Sequence, residues 1–184
     1  MFKLIEADLH RYGGKPNFKS LCKFWRIPGL KYIVCWRLSN HYSKLHPIGF
    51  IARLLYKKYF VKYGFQIPRE TKLGEGFQIN HFGGIVINKG SVIGKNCTIS
   101  QNITIGHTKR GIKAGCPTLG DLVYIGPGAV ILGGIRIGTN VLIAANSLVT
   151  TDIDSNSIVS GNPAVIKPRN DATEGYINNI FNEP

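Results

Sequence analysis

The sequence predicts an all-β repeat, a parallel β-helix that carries an α-helical segment at its N-terminus. Three observations predict it. Leu119, Ile125, Ile131, Ile137, Ile143 and Val149 recur at a six-residue interval without a slip. That interval fits neither a helix, with its period of about 3.6, nor a continuous strand, with its period of about 2. Small or β-branched side chains then recur four positions after the aliphatic ones: Val123, Ala129, Ile135, Val141 and Ser147. Finally, most of the net positive charge lies ahead of the repeat. Up to Lys72 there are 15 Lys and Arg against 3 acids, and after it 8 against 7. Three short strands make one triangular coil of about eighteen residues. Leu119 is therefore expected to stack on Ile137, Ile125 on Ile143, and Ile131 on Val149. Each coil buries its aliphatics only against its neighbours, so several are needed for stability.

Residues 1–64 form the basic helical segment. Phe2, Leu4, Ile5 and Leu9 predict a first helix ended by Gly13 and Gly14. Phe18, Leu21, Cys22 and Trp25 predict a further turn or two before Pro28. Residues 30–42 and 48–63 predict two longer helices. In the last, Ile51, Leu54, Leu55 and Phe60 alternate with Arg53, Lys57, Lys58 and Lys62. One reading is adsorption to an anionic membrane surface. The favoured reading is packing on other helices or on a sister subunit, the usual fate of an amphipathic helix. The excess of cations attracts anions in general: phosphates, acidic sugars or lipid headgroups.

The repeat occupies residues 65–169. Leu73, Ile79 and Ile85 keep the six-step, and the frame then moves by two to Ile87, Ile93, Ile99 and Ile105. Gly83 and Gly84 stand at the slip, where a bulge or altered corner can absorb it. The loop 107–118, HTKRGIKAGCPT, is too polar to form a coil wall, and such an ejected loop serves a binding face. Residues 170–184 read as a polar, loosely held tail. Cys22, Cys35, Cys97 and Cys116 have no zinc spacing and read as reduced thiols, with Cys97 at a small inward position. No signal peptide, transmembrane run or nucleic-acid-binding motif is visible. The expected location is cytoplasmic, with peripheral contact at the inner face of the plasma membrane as the further reading.

The repeats, the ejected loop and the closing Gly161-Asn162-Pro163-Ala164 resemble the hexapeptide acyltransferases over most of the chain. Within that family the sequence looks most like serine acetyltransferase and relatives that acetylate surface-polysaccharide sugars. The resemblance implies a left-handed β-helix, acetyl-CoA as co-substrate, no metal, and a homotrimer with active sites between subunits. The stretch QINHFGGIVIN is similar to the branch motif that carries the catalytic histidine, which falls on His81. The galactoside and maltose acetyltransferases place their base in the ejected loop, which makes His107 the second candidate. By the same resemblance Gly126, Ala144 and Ala145 line the pantetheine arm, Thr150 lies beneath the adenine, and Lys167 and Arg169 suit the phosphates.

The chemistry is simple. A neutral imidazole can take the proton of an attacking hydroxyl, and a nearby donor can stabilise the charge on the carbonyl oxygen. Asn80 and Gln66 are the expected substrate neighbours of His81. They stand where serine acetyltransferases have aspartates, and Gly115-Cys116-Pro117 stands where those enzymes hold a carboxylate with Arg-His-Pro. Lys109, Arg110 or Lys113 are left to substitute. These departures point to a sugar hydroxyl as the acceptor, with serine, as in cysteine biosynthesis, as the alternative. A non-catalytic scaffold or a carbonic anhydrase relative is the reading from another class. The latter needs three histidine ligands, and the repeat offers His81 and His107.

Overall fold

The computed structural model describes residues 1–13 and 26–182. The turn expected around Phe18–Trp25, with Cys22, lies outside them. Three helices come first: α1 (Phe2–Arg11), α2 (Pro28–His41) and α3 (Pro47–Tyr63). α2 and α3 each begin on proline, whose fixed φ suits a first helical turn and whose missing N–H costs nothing there. Gly64, in the left-handed conformation, ends α3 and turns the chain into the first coil.

The coils follow as three sheets. Sheet A is built from β1 (Phe65–Gln66), β4 (Ile85–Ile87), β7 (Thr104–Gly106), β10 (Val130–Leu132) and β13 (Leu148–Val149). Sheet B holds β2 (Lys72–Leu73), β5 (Val92–Ile93), β8 (Thr118–Leu119) and β11 (Arg136–Ile137). Sheet C holds β3 (Gln78–Ile79), β6 (Thr98–Ile99), β9 (Val123–Ile125), β12 (Val141–Ile143), β14 (Ser157–Ser160) and β15 (Val165–Pro168). The chain visits A, B and C in turn, and every pairing is parallel except β14 with β15. Strands this short persist because each pairs with the coil above and below while its inward side chain is buried.

The register is the one the period predicts. Leu119 pairs with Ile137, Ile125 with Ile143, and Ile131 with Val149. The columns extend upward to Ile93 and Leu73, to Ile99 and Ile79, and to Ile105 and Ile87. The two-residue slip is an enlarged corner: the chain runs from Ile79 to Gly84 through an outward bulge that exposes His81 and Phe82. Gly83 and Gly84 have φ of 110° and 61°, values that glycine adopts without a Cβ penalty.

The helical segment closes the upper end of the coil stack. Leu30, Tyr32, Ile33, Trp36 and Tyr56 share one buried cluster with Phe65, Ile67, Phe77 and Ile79. Polar anchors reinforce this seam. Arg37 donates to both carboxylate oxygens of Asp8 at 2.9 and 3.2 Å, and Phe77 N–H donates to Asp8 at 2.9 Å. Burial raises the Asp8 carboxyl above its ordinary value, against the pull of Arg37 and of the backbone N–H. Part of the basic charge thus holds the fold together. α3 buries Gly49, Ala52 and Tyr56, while Ile51 and Leu54 face outward. Among the described residues no helix is long and apolar enough to cross a membrane.

The tail differs from its expectation of being loose. Ala172, Thr173 and Ile177 are buried, and the chain returns along the corners between sheets B and C toward α1. The reason lies in the corner asparagines. Asn140 accepts from Thr173 N and Oγ1 at 3.2 and 2.7 Å and donates to Asn170 O at 2.7 Å. Asn96 binds both N and O of Phe181 at 3.0 Å. Their left-handed φ, near 55°, leaves these amides as a ladder for passing backbone.

Candidate active site

Two edges of the coil stack carry the candidate residues. The edge from sheet C to sheet A consists of the corners 80–84, 100–102, 126–128 and 144–146. The edge from sheet A to sheet B consists of 67–71, 88–91, 107–117, 133–135 and 150–152. Asn80, His81, Gly126, Ala144 and Ala145 all fall on the first edge. His107 and Thr150 fall on the second. Within one chain the two histidines therefore occupy different corners.

His81 and Asn80 are exposed at the top of the first edge. The bulge is fixed from both sides: Gly83 N–H donates to Tyr63 O at 3.0 Å, and Gly83 O accepts from Asn102 N–H at 2.8 Å. Phe82 leans on Tyr63, with ring centroids 5.7 Å apart. Gln66 lies on β1, exposed, opposite Val86. One coil below His81, the side-chain oxygen of Gln101 is buried without a hydrogen-bond partner among the described residues. No sequence pattern marks it, because only a buried environment distinguishes it from any corner amide.

Below Gln101 the edge is narrow. A Cβ on Gly126 would lie 2.8 Å from Ala145 N and 3.0 Å from Ala144 C, so coil stacking alone already requires glycine there. The same smallness leaves this edge free of bulky side chains, which fits a thin pantetheine arm. The phosphate candidates lie elsewhere. Lys167 is on β15, opposite Ile158, and Arg169 beyond it is bound to Asp171 at 2.7 and 3.0 Å. Arg169 is thus already paired with a carboxylate.

The loop 107–117 is a hairpin closed by reciprocal bonds between Thr108 and Gly115 at 3.0 and 2.9 Å. Lys113 within it binds Asp152, which also accepts from Arg136 N–H at 2.9 Å. Lys109 and Arg110 are exposed, as is Ile112 at the tip. Lys113 is therefore committed to a carboxylate of its own chain.

A cavity of about 310 Å³ adjoins Asn80. Arg11, Tyr12, Gly13 and Gln78 form one wall, and Tyr176, Asn178 and Asn179 of the tail form the other. Tyr12 Oη donates to Ile79 O at 3.2 Å and accepts from Ile79 N–H at 2.9 Å, which ties α1 to the strand that leads into the His81 corner. Neither Arg11 nor the tail residues were legible as site residues, since no local pattern marks them.

The fold is shared with known proteins. Residues 117–151 match the model of the bacterial transferase hexapeptide (six repeats). A serine acetyltransferase of Synechococcus elongatus is 37% identical over 169 residues, 89% of this chain and 67% of the relative. The crystal structure of the Neisseria gonorrhoeae serine acetyltransferase superposes with a TM-score of 0.74 at 31% identity, over 96% of this chain and 70% of that one. The chain belongs to the hexapeptide-repeat acyltransferases, in the serine acetyltransferase branch. Its fold is accordingly the left-handed parallel β-helix of that family. A further serine acetyltransferase, solved as a complex with CoA, superposes with a TM-score of 0.72 at 27% identity, over 90% of this chain and 68% of that one.

Proposed function

We propose that this chain transfers the acetyl group of acetyl-CoA to the side-chain hydroxyl of serine, with His81 as the general base. Membership of the family makes it an acetyl-CoA-dependent O-acetyltransferase; the acceptor and the residue roles are the proposal. The observation that carries it is the first edge. It sets His81 above the small-residue corners of Gly126 and Ala144-Ala145, in a chain similar to named serine acetyltransferases. Those relatives favour serine over the sugar acceptor expected from the missing aspartates and the basic N-terminal segment. That segment's cations are also partly occupied, since Arg11 and Arg37 are buried in the seam.

Acetyl-CoA, when bound, supplies a thioester carbonyl as electrophile and a thiolate as leaving group. His81 accepts the hydroxyl proton at an imidazole nitrogen, which makes the oxygen a competent nucleophile. Gln101, in the corner one coil below, suits the orientation of a bound group. Gln66 and Asn80 replace the carboxylates of the branch, so the imidazole is oriented without a counter-charge, which gives a weaker base.

The active assembly is a homotrimer. Gln66, Val86, Thr104, Val130 and Leu148 form the outward column of sheet A, in register and without a charge. The matching column of sheet B carries Lys72 and Arg136. Three copies packed through sheet A bring the His81 edge of one against the His107 edge of the next, and so join histidines that one chain keeps apart. Turnover with acetyl-CoA and serine, alongside His81→Ala, His107→Ala and sedimentation of the wild type, tests this. Loss of turnover in His107→Ala but not in His81→Ala would overturn the base assignment, and a monomer active at full rate would overturn the shared site.

A further inference from the structure

Three charged side chains are buried among the described residues: Asp8, Arg11 and Arg37. Asp8 is committed to Arg37 through both of its oxygens. Among the described residues Arg11 has no carboxylate partner. It donates to Gly76 O at 2.8 Å, Asn178 O at 2.9 Å, Thr98 Oγ1 at 2.9 Å and Gln78 Oε1 at 3.2 Å, all neutral oxygens. Glu75, next to Gly76 in sequence, is paired with Lys95 at 2.8 Å. Four of the five guanidinium N–H groups are used, and one on Nη1 remains. Among the described residues the trio thus keeps one positive charge without a counter-ion, and buried charges are ordinarily paired.

That charge lines the 310 Å³ cavity whose rim includes Asn80, the residue before His81. Among the described residues the remaining polar lining is neutral amide and phenol: Gln78, Tyr12, Tyr176, Asn178 and Asn179. We infer that this cavity is the carboxylate subsite of the acceptor, with the buried Arg11 as the charge that holds it. The inference rests on the serine reading above. It supplies what that reading lacks, because the loop carries Gly115-Cys116 and its Lys113 is bound to Asp152. The walls come from α1 and from the strapped tail, so the tail is part of the acceptor site.

Gln78→Glu tests the charge without removing a side chain. The substitution keeps the shape and places a carboxylate on Arg11, which satisfies the charge internally. It is expected to raise the melting temperature, and to raise KM for L-serine at least tenfold with less than a threefold change in kcat. Wild-type enzyme should favour L-serine over L-serinamide, which lacks the carboxylate, by at least tenfold in KM, and Gln78→Glu should erase that preference. An unchanged KM in Gln78→Glu, or a lowered melting temperature, overturns the subsite while wild-type turnover with serine leaves the function standing. Calorimetric titration separates the two further. L-serine that binds the wild type without turnover, and binds Gln78→Glu at least tenfold more weakly, supports the subsite and sinks the reaction. No binding to the wild type sinks both.

Discussion

The lower coils, 117–151, and the coils above them are built on the same period but spend it differently. In the lower coils the corners are three or four residues long, and their left-handed positions are filled by Gly128, Gly133, Asn140 or Asn146, with Leu122 as the exception. Above them the corner at 80–84 is longer by two residues and the corner at 107–117 is an ejected hairpin. Both candidate histidines sit in those two departures. Regular corners maximise stacking and leave little for a ligand to grip. Enlarged corners lose a little stacking and put side chains outside the wall.

The strongest way to break the contrast is to make the upper corner regular. Excision of residues 81–82 restores the six-residue step from Ile79 to Ile87. The variant is expected to fold, with circular dichroism unchanged, and to lose at least about 10³-fold in turnover, within the range for removal of a general base. A variant that folds and retains activity would separate the bulge from the chemistry. Next in size is the seam that joins the helices to the upper coils. Asp8→Asn leaves Arg37 buried opposite a neutral amide, and denaturant titration should read a loss of about 3–5 kcal/mol.

The lower coils are probed by Gly126→Val. Its Cβ would enter the space of Ala144 and Ala145 backbone, so a loss of about 1–3 kcal/mol is expected from overpacking. A stability unchanged in thermal unfolding would mean that the coils give way more easily than their spacing implies. The smallest effect is a gain. Leu122 holds φ of 54° where its neighbours in the stack have asparagine. Leu122→Asn relieves a strain of about 1 kcal/mol and should raise the melting temperature by about 2–4 °C.

The period of the sequence was enough to settle which residues stack. Leu119, Ile125 and Ile131 meet the partners that arithmetic assigns them, because a coil wall is a local constraint repeated along the chain. The same arithmetic located the slip beside His81, since a break in a strict pattern is itself legible. It also marked the loop at His107 by its polarity.

Other features have no period to betray them. Arg11 meets Gly76, Thr98 and Asn178 across separations of 65 to 167 residues, and the sequence near Arg11 looks like any amphipathic turn. The tail reads as polar chain until the corner asparagines that bind it are set in one ladder. Arg169 reads as a free cation until Asp171 is placed beside it. Burial and long-range pairing are properties of the assembled molecule, so they alone decided which charges are satisfied and which one lines a cavity. The sequence by itself determined the coil, its register and the corners that depart from it. The tertiary structure decided which edge each corner joins, because three sheets turn sequence order into three separate columns.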